Sequence, residues 1–175
     1  MSWKFQITWK VIVVAAAALV ASLAGTIAYT ERPSFCLSCH EMNAYYTSWA
    51  KSSHKDANCL SCHADEGLVG LLKVKAKGTT EVVKHFTNSY SKPIKGEVPA
   101  YRCESCHKEP AKITETADLR IPHETHLSAG LECTTCHGGV VHGVEGKGPS
   151  KPSMDTCASC HDVKTESKCI TCHKW

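Results

Sequence analysis

Cys36-Leu-Ser-Cys39-His40-Glu-Met42 opens a series of six runs in which two cysteines three apart are followed at once by a histidine. The others are Cys59-Leu-Ser-Cys62-His63, Cys103-Glu-Ser-Cys106-His107, Cys133-Thr-Thr-Cys136-His137, Cys157-Ala-Ser-Cys160-His161 and Cys169-Ile-Thr-Cys172-His173. Together they use all 12 cysteines of the 175-residue chain. Cysteines three apart share one side of a helical turn, where both can bond the vinyl groups of one porphyrin. The histidine that follows is placed beneath the iron as an axial ligand. A zinc site would pair Cys-x-x-Cys units without a histidine after each. A thioredoxin-like pair would occur once, near a βαβ pattern that is absent here. The pattern therefore reads as c-type haem attachment, and the expectation is a six-haem cytochrome c.

That expectation constrains the fold. Residues 30 to 175 must hold six haems, about 24 residues for each, too few to build a conventional apolar core beneath the cofactors. The haems must be the core, and the expected fold is mainly α with much irregular structure. Without haem the part after the anchor is expected to be unfolded, as small metal domains are. The formal charge of +3 turns acidic once each haem brings two propionates. Lys73, Lys75, Lys77 and Lys84, Lys92 and Lys95, and Lys147 and Lys151 read as solvated or propionate-pairing faces. They are dispersed among acids, which argues against nucleic-acid binding.

From Val11 to Tyr29 no residue is charged, and as a helix this stretch would span roughly 28 Å, close to the hydrocarbon thickness of a bilayer. Lys4 and Lys10 precede it while Glu31 and Arg32 follow, so the positive bias puts the N-terminus in the cytoplasm. Trp3 and Trp9 suit one interface and Tyr29 the other. A cleaved signal peptide is the competing reading, with small residues at 21–25 as possible sites. The apolar run continues past them, which favours a retained single-pass anchor in the inner membrane. All haem motifs would then lie in the periplasm or outside.

First cysteines lie 23, 44, 30, 24 and 12 residues apart, too unevenly for a simple tandem repeat. The longest gap contains apolar residues at broadly helical spacing (Leu68, Leu71, Leu72, then Val82, Val83, Phe86) and is read as two short helices broken near Gly78. Their apolar faces would cover haem edges, or the first would lie on the membrane surface with lysines reaching lipid phosphates. Gly/Pro-rich connectors at 91–99 and 138–152 suggest three parts: an anchor over 1–30, a four-haem unit over 31–145 and a two-haem extension over 146–175.

Low-spin electron-transfer haems take two axial ligands. Of 11 histidines, six are in the motifs, leaving His54, His85, His123, His126 and His142 as candidate distal ligands. Five cannot complete six haems, so one iron has a different ligand or an open position. Either His40 ligates as usual and Met42 packs against the ring, or Met42 is itself the odd ligand.

The anchor, the Cys-x-x-Cys-His-x-Met run just beyond it, Tyr45, Tyr46 and Trp49, Ser-x-His54, the motif at Cys59, Lys75-Ala-Lys77 and Cys133-x-x-Cys-His-x4-His142 together resemble the NapC/NrfH family of membrane-anchored quinol dehydrogenases, NrfH-like members above all. The resemblance covers about residues 5 to 145. It implies that Met42 binds the first iron and leaves His40 free. His63, His107, His137, His161 and His173 would then pair with the five spare histidines. It also implies a quinol site beside the first haem with a lysine, matched by Lys75, and a carboxylate whose position falls next to Glu81. A base there suits quinol oxidation, which releases two protons with two electrons. The two C-terminal motifs depart from the four-haem family pattern and suggest a longer wire.

The leading expectation is a menaquinol or similar quinol dehydrogenase that passes electrons to a periplasmic redox protein or reductase complex, with oligomerisation possible. The alternatives are a pure relay docked to a larger membrane complex or haem filament, and a terminal reductase. The last needs an open iron with substrate access, for which uncommitted histidines are scarce.

Overall fold

A computed structural model describes residues 9–91, 94, 96–116, 118–143 and 148–174; Trp3, Lys4, Lys92, Lys95, Lys147 and the 145/146 division lie outside them. Helix α1 (Trp9–Thr30) carries the apolar stretch, whose 18-residue window has a mean hydropathy of 2.5, and none of its residues is buried in the rest of the chain. Its 22 residues would reach about 33 Å, enough to cross a bilayer. A short turn, α2 (Pro33–Cys36), follows directly, and Tyr29 meets Phe35 edge-on at 5.7 Å.

Beyond the anchor the chain is a string of short helices: α3 (Asn43–Ala50), α4 (Cys59–His63), α5 (Gly67–Phe86), α6 (Ala100–Glu104), α7 (His123–Ser128), α8 (Cys133–His137), α9 (Met154–Ala158) and α10 (Cys169–Cys172). Long connectors join them, and the described residues form no β-sheet, only isolated bridges at Glu115–Arg120 and Leu119–His173. Local chemistry explains where several turns start. The Asn58 side chain accepts from the Leu60 N–H and Ser153 from the Thr156 N–H, each satisfying a donor that a helix N-terminus leaves orphaned.

Helix α5 corrects the expectation of two helices: it runs unbroken through Gly78 for 20 residues. One glycine costs only about 1 kcal/mol against alanine. The hydroxyls of Thr79 and Thr80 fold back onto the Lys75 and Ala76 carbonyls at 3.0 and 3.2 Å, so they stay on the helix instead of competing with it.

No apolar side chain is buried among the described residues; the buried residues are Ser48, Ser52, Gly70 and Arg102. The chain exposes 13652 Å², against about 8,400 Å² for a globular protein of this mass. The lone α1 accounts for part of that excess. The remainder reflects a frame that does not condense on itself. Its ties are polar: Arg102 grips the Ser61 carbonyl and Glu66, joining the second and third motifs. The Ser48 hydroxyl donates to the Val141 carbonyl at 2.6 Å.

Candidate haem centres

Five of the six motifs share one backbone geometry. His63 and His137 end the helices α4 and α8 that begin at their own first cysteines. The amides of His107, His161 and His173 donate to the carbonyls of Cys103, Cys157 and Cys169 at 2.8, 2.9 and 2.8 Å. Each motif thereby winds one helical turn, which keeps both sulfurs on one side and the imidazole just beyond them.

The first motif breaks this rule. Helix α2 ends at Cys36, Cys39 is extended (φ −108, ψ 127), and a 3₁₀ turn over His40–Met42 begins after it. The His40 side chain is 77% exposed, whereas Met42 lines a cleft with Cys36, Tyr45, Tyr46, Trp49, Cys59, His63 and His142.

All five histidines outside the motifs have Nδ1 engaged. That of His142 donates to the Tyr45 carbonyl at 3.0 Å, that of His123 to Ile113 at 2.8 Å and that of His126 to Pro122 at 2.9 Å. His54 Nδ1 meets the Ser53 hydroxyl at 3.2 Å, and His85 Nδ1 lies 2.8 Å from Glu41 Oε1. This second interaction orients metal-binding imidazoles and leaves Nε2 for the metal.

Four of these five rings face a histidine of the regular motifs. Ring centroids are 6.2 Å apart for His63–His142, 6.3 Å for His137–His123, 6.0 Å for His107–His54 and 5.9 Å for His161–His126. The fifth, His85, lies 5.8 Å from His40. Two imidazoles so spaced can each turn a nitrogen to one point between them, given metal–nitrogen bonds of about 2 Å. Burial lowers the pKa of His63, His137 and His142, favouring the neutral form that binds metal. The donor set therefore fits haem iron.

The sulfurs show the order of the centres. Cys59 hydrogen-bonds Cys36, which lowers the Cys36 thiol and raises its own. Burial raises Cys62, Cys103 and Cys136, and neighbouring thiols add to each shift: Cys106 at Cys62, Cys133 at Cys103, and Cys157 with Cys160 at Cys136. Motifs one to five thus follow one another in space as in sequence. The sixth is held elsewhere: the Arg120 N–H donates to the Cys172 carbonyl and the Lys174 N–H to Asp118, both onto the segment leading to His123.

Motifs one and two lie against the end of α1. Lys75 Nζ donates to Thr30 Oγ1 at 2.7 Å, and Asn58 Nδ2 to the Glu31 carbonyl at 2.9 Å. Glu81 is apart from this contact: it pairs with Lys84 at 2.8 Å, and six residues on one helix separate it from Lys75 by about a third of a turn. Sequence reasoning missed Glu41. Its side chain is 12% exposed, with His40 Nε2 3.3 Å and His85 Nδ1 2.8 Å from Oε1. Its own backbone N–H, then Tyr90, then the two imidazoles hold its pKa below the usual carboxylate value. The only sequence signal was its place between His40 and Met42.

Comparison with known proteins follows the same lines. Residues 1–98 match the NapC/NirT cytochrome c family, N-terminal region. The cytochrome c nitrite reductase subunit NrfH of Nitratidesulfovibrio vulgaris is 30% identical over 132 residues, covering 70% of this chain and 75% of that protein. The cytochrome c-type protein NrfH of Wolinella succinogenes is 33% identical over 123 residues, 63% of this chain and 68% of its own. Among solved structures, a chain of the cytochrome c nitrite reductase NrfHA complex bound to the HQNO inhibitor superposes with a TM-score of 0.56 at 24% identity. The match covers 89% of this chain and 99% of that one.

Proposed function

This chain belongs to the NapC/NirT cytochrome c family, and from that premise we propose that it is a six-haem, membrane-anchored quinol dehydrogenase. It takes electrons from menaquinol or a similar quinol at the membrane surface and passes them to a periplasmic redox partner. The cytoplasm holds the N-terminus and the periplasm the haem domain. Residues 31–145 form the four-haem unit and 146–175 the extension.

In this reading the 12 motif cysteines hold six haems. Met42 holds the first iron, and four of the others are held between His63 and His142, His107 and His54, His137 and His123, and His161 and His126. When bound, the haems supply one-electron iron chemistry, their potentials set by ligand type and burial. The protein side chains do the rest. Lys75 of α5, whose ammonium lies beside the end of α1, binds a quinol oxygen and stabilises its charge as a proton leaves, and Glu81 receives a proton at the helix surface and releases it to solvent. Glu41, with Oε1 2.8 Å from His85 Nδ1, orients that ring by its charge. The NrfH relative of Nitratidesulfovibrio vulgaris bears the name of a nitrite reductase subunit, and a reductase of that general kind is the partner class proposed here.

The observation that carries this reading is the irregular first motif, which turns His40 outward and Met42 into the cleft where the chain leaves α1. Quinol is mixed with Met42→Ala and Lys75→Ala proteins and haem reduction is followed by rapid-mixing absorption. Each change is expected to slow reduction by about tenfold or more, equivalent to about 1.4 kcal/mol. Wild-type rates in both would remove the proposed entry site. One observation favours the alternative of a pure relay: Lys75 and Glu81 already have protein partners, Thr30 and Lys84. Wild-type rates in both variants, with a bis-histidine first haem that shows no high-spin signal, would select it.

A further inference from the structure

The imidazole pairs account for ten of the 11 histidines, and all 11 are among the described residues. The one left over is His173. Its backbone is firmly placed, bridged to Leu119 and followed by the Lys174–Asp118 bond. Yet its ring faces no other imidazole among the described residues.

The bookkeeping that would have closed every iron but the first needs His85 at the sixth motif. The structure places His85 at the first, beside His40 and Glu41. That placement holds whether Met42 or His40 is the ligand there. The methionines do not fill the gap. Met42 is in the cleft beside Cys36, and Met154 begins α9, one turn before Cys157 of the fifth motif, with about half its surface exposed.

We infer that His173 is the sole protein ligand of the sixth iron, which makes that centre a binding site for a small diatomic ligand such as carbon monoxide or nitric oxide. The inference rests on the six-haem reading above. A lone-pair donor whose π* orbitals can accept electron density would suit a ferrous iron held by one imidazole. Binding is reversible ligation that at most displaces water, with no electron or proton exchanged. The odd coordination then falls at both ends of the motif series, by methionine at the first and by an open position at the last.

The test uses full-length, haem-loaded protein in detergent. Haems are located by peptide mass mapping, and carbon monoxide is titrated after dithionite reduction. The expected result is six haems in the wild type and uptake of one carbon monoxide equivalent more than C169S/C172S takes up, the other five haems keeping their spectra. Equal uptake by the six-haem wild type and the double variant overturns the inference and leaves the six-haem reading standing. An unmodified sixth motif in the wild type overturns both. Should the double variant lose further haems, the wild type decides by the electron paramagnetic resonance of its nitric oxide adduct. Nitrogen splitting from a trans imidazole supports the site, and its absence overturns it.

Discussion

A methyl group at Gly96 would lie 3.2 Å from Cε1 of His63, closer than ordinary contact, so the ring must give by a few tenths of an ångström. Gly96→Ala is expected to cost about 1 kcal/mol through crowding. It should also shift the paramagnetic resonance of the haem proposed to be held by His63 while the other haems keep theirs. A wild-type spectrum would show that His63 has room to move. The same scale shows how much of the candidate site the sequence revealed. Histidine types and number were visible, and so was the shortage of one ligand. The pairings were not, because His54 and His107, or His63 and His142, come together only through contacts such as the Tyr45 carbonyl with His142 Nδ1. Glu41 was invisible for the same reason: only its burial beside His85 distinguishes it from an ordinary surface acid.

The loop from α3 to α4 hangs on one indole. Trp49 Nε1 donates to the carbonyls of His54 and Ala57 at 2.9 and 3.0 Å, setting where His54 presents its ring. Trp49→Phe keeps an aromatic ring but removes the donor to the Ala57 carbonyl, while the His54 carbonyl keeps only the Ala57 N–H, at a cost of about 1–2 kcal/mol. A lower melting temperature together with a perturbed spectrum for the haem between His54 and His107 is expected. Loss of stability without the spectral change would mean that the indole only packs. Periodicity identified α1 and the helical content of α5. It failed at Gly78, where the helix-compatible residues on either side outweigh the roughly 1 kcal/mol cost of one glycine. It also could not tell the first motif from the others, because Cys39 leaves helical geometry through its backbone and not through its residue type.

At the scale of the whole molecule, a frame with no buried apolar residue among those described cannot fold by hydrophobic burial alone. Protein made without haem is expected to show no cooperative melting beyond α1 by circular dichroism; a sharp thermal transition would show a hidden core. The C-terminal extension is fastened to the rest by His126 facing His161 and by Lys174 on Glu115. The Lys174 hydrogen bond, then its charge, then Arg120 depress the Glu115 pKa. A depressed carboxyl contributes stability above its unfolded pKa of about 4.3 and loses it as pH falls through the lower folded value. The protection of the Arg120 and Lys174 amides, relative to their intrinsic exchange rates, should therefore fall below about pH 4. Glu115→Gln should exchange faster at neutral pH and lose that acid step. An unchanged profile in Glu115→Gln would place the tether elsewhere.

The sequence by itself determined the haem-attachment chemistry, the apolar segment and the mainly helical, loop-rich class, because each is written in residues adjacent or a few positions apart. Only the tertiary structure decided which histidines face each other, that His85 belongs with the first motif, and that the last motif rests on residues 118–120. Those are contacts between residues tens of positions apart. Local spacing cannot encode them, since they depend on how connectors of unequal length bend back around the motifs.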